Sequence, residues 1–385
     1  MTGSPVEGDE FFGREKELEF AWMQLQNGNS LILPAPRRVG KTSFAKKLLT
    51  IAKKHQWNTL ELDLQQINTE EAFINYLLEQ IRNQSWFQKT KHAWSEKVSQ
   101  ILESIKPSFQ KEDVTVTLSW ESKRSDIFDQ LKSLLNHEEN TLVVIDEVTV
   151  LLGSLVKQVN GIAKVEFFMN WLRGLRMVTN SNIRWLFCSS VGIENFAHIH
   201  AISYTLNDLS SQHIGAFNDD QTKEFLIFLS KANKLILEEA VQIYCMKKIG
   251  WHLPYFHQIL INKIHFLHFT TGLEITNLVV DKAYQLLLEE NSLSTWDERL
   301  KDYGLLEAPA RVILNALCKV AEGESRDLLL NRIMKNKKEV EKNELLLSQL
   351  LKLLRNDGYI DLSEAKKYVF RSPLLRDFWF NRFIQ

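Results

Sequence analysis

Residues Ala35 to Thr42 read Ala-Pro-Arg-Arg-Val-Gly-Lys-Thr, an A-x-x-x-x-G-K-T pattern set between the apolar run Leu31-Ile-Leu33 and a helical pattern that starts at Ser43. Three kinds of group at that spacing suit a triphosphate: loop N–H groups aimed at the oxygens, the Lys41 ammonium for the β- and γ-phosphates, and the Thr42 hydroxyl for Mg²⁺. Gly40 lets the backbone come that close. Ala35 stands where glycine is commonest, a difference of one methyl. Alone, the pattern competes with a chance Gly-Lys-Thr at a helix start. A second segment, Thr141-Leu-Val-Val-Ile-Asp-Glu-Val148, is a buried-type strand ending on two carboxylates. Asp146 is placed to hold the metal and Glu147 to orient and polarise an attacking water. The pair of segments predicts binding of a nucleoside triphosphate and Mg²⁺, with Lys41, Asp146 and Glu147 as the catalytic set and Thr42 and Asp146 as metal ligands.

These groups need a frame that brings a loop and a distant strand end together. Glu15 to Gln26 carries Leu18, Ala21, Trp22 and Leu25 at helical spacing, and Phe44, Ala45, Leu48, Leu49 and Ala52 form one face of the helix after the loop. Leu60 to Leu64 alternates like a strand, Glu70 to Arg82 and Ser125 to Leu135 read as helices, and Ile183 to Ser190 is an apolar strand ending in two hydroxyls. Another helix is expected over Ala93 to Ile105, and the period-two run Val114 to Leu118 suggests a small β element. Alternating strands and helices over residues 1–207 predict an α/β core with a parallel sheet, whose ligands sit at the carboxyl ends of strands. That edge would carry the phosphate loop, Asp146, Glu147, Ser189 and Ser190.

From about Asp208 the alternation stops. Helical patterns at Asp220 to Lys231, Leu237 to Lys248, Pro254 to Phe269 and Thr276 to Glu290 predict an all-helical lid over 208–292, with Pro254 well placed as a first helical residue. Residues 293–304 read as a linker. In 305–385, helices opened by Pro309, near Asp327 and over Asn343 to Arg355, followed by a hairpin of Tyr359 to Leu362 with Tyr368 to Phe370, predict a winged-helix domain.

The composition is that of a folded, multidomain chain: 385 residues, 44% apolar, 25% charged, net charge −1. That balance argues against a wholly basic nucleic-acid coat, and residues 331–382 hold only a mild excess of Lys and Arg. Cys188, Cys245 and Cys318 lie far apart in apolar surroundings, as reduced core thiols do. Neither a signal peptide nor a membrane span is visible, so a cytoplasmic location is expected.

Taken together, the motifs resemble those of the archaeal-type predicted ATPases in the STAND branch of the AAA+ P-loop NTPases. The resemblance rests on Phe12-Gly-Arg-Glu15, Pro36-Arg-Arg-Val-Gly-Lys-Thr-Ser43, Ile145-Asp-Glu147, Ser189-Ser190, Gly250-Trp-His-Leu-Pro-Tyr255 and Asp357-Gly-Tyr-Ile360. It implies an AAA+/ASCE-type core, a helical lid and a C-terminal winged helix that together form an ATP switch. It further implies that Phe12, Gly13 and Arg14 line the adenine side, and that Ala35, Pro36, Arg37, Arg38, Val39, Gly40, Lys41, Thr42 and Ser43 wrap the phosphates. Ser189 or Ser190 would sense the γ-phosphate, and the turn carrying Pro254 would close on the nucleotide.

Other residues carry weaker signals. Arg173, Arg176 and Arg184 are candidates for an arginine reaching a neighbour's phosphate, set against solvated or structural roles. His252 is read first as structural, and His198/His200 and His265/His268 as surface or core histidines. Candidate partners are duplex DNA or a protein effector in trans at the winged helix, where Lys342, Lys352, Arg355, Lys366 and Lys367 could meet phosphates, and a nucleotide-dependent homo-oligomer; no membrane is expected. The first functional reading is an ATP-hydrolysing switch coupled to such a partner. The second is a DNA-binding regulator gated by ATP with little turnover.

Overall fold

The structure is a computed structural model that describes residues 11–85, 98–99, 101, 113–135, 139–179, 181–189, 192–334 and 340–384. The chain divides into two compact units, the first Glu7–Pro34 with Lys41–Ile214, the second holding Ala35–Gly40 and Gly215–Gln385.

The first unit is a five-stranded sheet in the order β2-β3-β4-β1-β5, with every neighbouring pair parallel. The strands are β1 (Ser30–Pro34), β2 (Asn58–Asp63), β3 (Thr141–Asp146), β4 (Ile183–Ser189) and β5 (Leu209–Ser211). All six residues of β3 are buried, as expected of an inner strand covered on both faces. Helix α1 (Glu15–Gln26) buries Leu18, Ala21, Trp22 and Leu25. Helix α2 (Lys41–Lys54) buries the expected apolar face, and Lys53 and Lys54 stay exposed. Helix α3 spans Glu70–Arg82.

Two expectations need correction here. Residues 114–118 lie in helix α4 (Asp113–Leu135) rather than in a β element. The alternation there is carried by β-branched residues over only five positions, a local preference that yields to the helix whose later turns bury Ile127, Phe128, Leu131, Leu134 and Leu135. Strand β5 continues the sheet past the point where the α/β pattern was expected to stop; three residues reading Leu-Ser-Ser are too short to show a period. The helix expected over 93–105 lies almost wholly outside the described residues.

The second unit continues with helices α8 (Asp219–Ala232), α9 (Glu239–Ile249), α10 (Pro254–Thr271) and α11 (Asn277–Glu289), after α5 (Val148–Val156), α6 (Gly161–Arg176) and α7 (Ile193–Ile199) of the first. Asn218 and Gln221 form a reciprocal capping box at the start of α8, and Pro254 opens α10 as its sequence position suggests. Residues 293–304, expected as a linker, hold helix α12 (Ser294–Leu300) followed by a 3₁₀ segment, and Leu293, Trp296, Arg299 and Leu300 are buried. This stretch is part of the core because its apolar residues alternate with charges at helical spacing.

Helices α13 (Glu307–Leu317), α14 (Arg326–Ile333) and α15 (Val340–Asn356) follow, then an antiparallel pair, β6 (Ile360–Leu362) and β7 (Tyr368–Phe370), and α16 (Pro373–Phe383). The expected three helices and hairpin are thus present in that order, with one further helix at the C-terminal end. The leucines of α15 explain themselves by burial: Leu347, Leu350, Leu351 and Leu354 face the core, whereas Leu345 is exposed.

Candidate nucleotide site

In the first unit the chemistry converges on the carboxyl ends of β1, β3 and β4. Thr42, in the first turn of α2, donates its hydroxyl to Asp146 Oδ2 at 2.7 Å, although the two are 104 positions apart. Ser189 is paired in register with Pro34, the last residue of β1 before the loop. Lys41, Ser43, Asp146 and Ser189 are all buried, with Thr42 half-buried beside them. The parallel order places β4 between β1 and β3, which is why a loop and a distant strand end share one edge.

The electrostatics mark the same place. Burial holds the Asp146 carboxyl above the usual range, and the neighbouring charge of Glu147 adds to the effect; the Thr42 hydroxyl, the Glu147 N–H and Lys41 work against it. A carboxylate so placed favours a positive charge next to it, and a hydroxyl 2.7 Å away supplies the second oxygen. This donor pair fits a divalent cation with oxygen ligands. The loop backbone also fits an anion: Arg38 and Gly40 have φ of 66° and 97°, the left-handed turns that point successive N–H groups to one side. At Gly40 an added Cβ would meet nothing within 4 Å, so glycine is required there by its φ rather than by crowding.

Glu147 caps α5 in the left-handed region, φ 56° and ψ 33°, and its N–H donates to Asp146 Oδ1 at 3.0 Å. A side chain in that conformation costs on the order of 1 kcal/mol, which an ordinary helix cap has no need to bear. The bend carries Glu147 past the strand end while Asp146 stays in it.

Ser189 has a partner that the sequence did not suggest. Its hydroxyl is hydrogen-bonded to that of Thr149 in the first turn of α5, and both residues are buried. If Thr149 uses its proton on Ser189, the Ser189 proton is left for a bound group. Replacing Thr149 with Val should therefore lower ATP turnover by roughly 10-fold, the scale of one buried hydrogen bond, with little change in nucleotide affinity. Steady-state kinetics alongside a binding titration checks this; unchanged turnover would assign the pair to packing.

The remaining site candidates are distributed as follows. Phe12 and Gly13 are half-buried and lead into Arg14, a buried left-handed cap of α1. Burial lowers the Arg14 pKa, with Glu17 opposing from 3.3 Å. The Lys47 ammonium lies 5.6 Å from the centroid of the Phe11 ring, which sets this segment beside α2. Ser190 lies outside the described residues.

In the second unit, Ala35, Pro36, Arg37 and Arg38 are half-buried and Val39 is buried. The Arg38 guanidinium lies 4.3 Å from the centroid of the Tyr255 ring, next to Pro254. His252 is structural: its Nε2 lies 3.2 Å from Asp219 Oδ1 and its Nδ1 3.2 Å from Nε2 of the fully buried His257, whose pKa burial lowers to about 3.

The arginine candidates resolve unequally. Arg176 is fixed by two hydrogen bonds to Asp208, at 2.6 and 3.0 Å, and one to the Thr205 carbonyl, with 1% of its side chain exposed. Arg184 donates to the Ser181 and Ile183 carbonyls. Arg173 has 36% of its side chain exposed and lies 3.7 Å from Asp208. Among the described residues no cluster of three or more His, Cys, Asp or Glu side chains forms a metal site, and the three cysteines are free and buried.

No family model matches the sequence, and no curated protein matches it. Solved structures do. A Walker-type ATPase of Pyrococcus abyssi aligns over 98% of this chain and 98% of its own, at 18% identity and a TM-score of 0.62. The ORC2 protein of Aeropyrum pernix, in complexes with ADPNP and ADP, aligns over 97% of this chain and 96% of its own, at 13% identity and a TM-score of 0.56. At such identities the likeness is one of fold: an α/β core built on the parallel β2-β3-β4-β1-β5 sheet, followed by a helical C-terminal region.

Proposed function

We propose that this chain is an ATP-binding, Mg²⁺-dependent ATPase that works as a molecular switch of the STAND kind, passing its nucleotide state to a protein or nucleic-acid partner through a winged-helix domain. The observation that carries the reading is the 2.7 Å bond between Thr42 and Asp146, which joins the hydroxyl of a phosphate loop to the carboxylate of a separate strand. Chance would not bring those two residue types together at a sheet edge next to a buried lysine. The names of the two structural neighbours, a Walker-type ATPase and a protein in complexes with ADPNP and ADP, support it from the side of fold.

In this reading Thr42 and Asp146 hold Mg²⁺, which when bound would neutralise charge on the phosphate oxygens. Lys41 and the N–H groups of 35–43 hold the phosphates, and Phe12 to Arg14 border the base. Glu147 takes up the proton of the attacking water or fixes its orientation, and Ser189 donates to the terminal phosphate. Coupling runs through the lid turn. Arg38 belongs to the phosphate loop and stacks on Tyr255, while Trp251 in the same turn packs against Gly358, where an added Cβ would run into the indole ring. Ser372 donates to the Ile249 carbonyl at 2.8 Å, tying the helix before the turn to the end of the hairpin. Pro254 fixes the entry angle of α10 between these contacts.

Lys41→Ala is expected to weaken ATP binding roughly 30-fold or more, because truncating a buried charge that contacts phosphate costs about 2–5 kcal/mol. A titration with labelled ATP checks it. Affinity equal to that of the parent would remove the phosphate-loop assignment.

A further inference from the structure

The second unit holds a concavity of about 400 Å³ that the nucleotide reading does not use. Four cations from three elements line it: Arg326 at the start of α14, Lys352 and Arg355 on the last turns of α15, and Arg371 just after β7. Ser348 and Tyr368 add hydroxyls, so its lining is polar. Among the described residues, two carboxylates pair with these four cations. Glu344 accepts from Arg326 at 2.8 Å, and Asp361 accepts from Arg371 at 2.7 Å and from Arg355 at 3.3 Å. Lys352 forms no ion pair with a described residue and is exposed.

The arrangement orients its charges instead of cancelling them. The Ser348 hydroxyl donates to the Glu344 carbonyl at 2.8 Å and accepts from Arg326 at 2.9 Å, so one guanidinium is held by a carboxylate and a hydroxyl together. The Arg371 guanidinium lies 5.0 Å from the centroid of the Trp251 ring, which fixes it from its other side. Two held guanidiniums, a third with about half its side chain exposed, and an unpaired ammonium then face one recess with an excess of two positive charges. Guanidinium forks and an ammonium around hydroxyls suit a tetrahedral oxyanion with several acceptor oxygens.

We propose that this recess is a binding site for a phosphate group. The inference deepens the proposed reading of the C-terminal domain by naming what it recognises, and it rests on that reading only for its use as an output. Two sources share this chemistry: the phosphodiester of a duplex passing across α15 and the hairpin, and a free phosphorylated small molecule. The site also shifts attention from Lys342, Lys366 and Lys367, which do not line the recess, to Arg326 and Arg371, which do.

The test compares the full chain with its Lys352→Ala/Arg355→Ala variant, both carrying Lys41→Ala so that the phosphate loop contributes little. Both positions are exposed, so folding should survive, and circular dichroism and the unfolding temperature verify that. The probes are a fluorescent 20-base-pair duplex and pyrophosphate. At least one should bind the parent saturably and bind the variant 10-fold or more weakly, with a shallower salt dependence for the duplex. Tight duplex binding with weak pyrophosphate binding identifies the backbone as the source; saturable pyrophosphate without duplex identifies a small phosphorylated molecule. If neither probe binds the parent, or the folded variant binds both as the parent does, the proposal is overturned. A failed nucleotide assignment would instead show itself as unchanged ATP affinity in Lys41→Ala alone.

Discussion

Glu147→Gln should bind Mg·ATP as the parent does and hydrolyse it at least ~10²-fold more slowly, the scale on which a positioned general base contributes. The substitution keeps size and hydrogen-bonding reach and removes only the basic oxygen. It also leaves the Glu147 N–H on Asp146 Oδ1, because that bond is made by the backbone. The left-handed φ of 56° is no more strained for Gln than for Glu, so a fall in turnover could not be laid to a displaced strand end. Phosphate release under single-turnover conditions, paired with an ATP titration, separates the two quantities. Parent-like turnover would mean that another group handles the water.

The second large effect lies at the joint of the C-terminal unit. Arg299 is 2% exposed and donates to both Asp357 oxygens, from Nε at 2.9 Å and from Nη2 at 2.5 Å, and the Tyr303 hydroxyl donates to Asp357 Oδ2 at 2.7 Å. Burial opposes the arginine's charge, and the Asp357 carboxylate more than restores it. Arg299→Met leaves that buried carboxylate without its cation and should cost about 3–5 kcal/mol in denaturant unfolding. Arg299→Met/Asp357→Leu, which removes both charges, should recover most of that loss. Equal destabilisation in the single and double variants would mean that the arginine acts by packing alone.

The parts of the candidate site that the structure brings together were legible in the sequence because they are local patterns with local causes. A glycine-lysine-threonine at a helix start and an all-apolar strand ending in two carboxylates each carry their context with them, and the Thr42 to Asp146 bond follows from a parallel sheet that brings both to one edge. Ser189 was legible for the same reason, as the end of an apolar strand. Its partner Thr149 was not, since nothing in a lone threonine tells which neighbour its hydroxyl meets. The motif Asp357-Gly-Tyr was visible as a pattern and opaque as physics. Arg299, which gives Asp357 its reason, sits 58 positions earlier in a stretch read as a linker, and Tyr359 donates its hydroxyl to the carbonyl of Trp296 in that same stretch. Long-range polar pairs leave no period behind, and a helix of seven residues leaves little more. The run at 114–118 is the opposite case, a strong local preference for strand overridden by the helix that continues through it.

The most direct test of the account is a time course of ATP conversion to ADP and phosphate by the purified chain, with and without Mg²⁺, beside Asp146→Asn and Glu147→Gln. Turnover should require Mg²⁺ in the parent and fall to background in both variants. A parent rate at saturating Mg·ATP no higher than that of the two variants would contradict it.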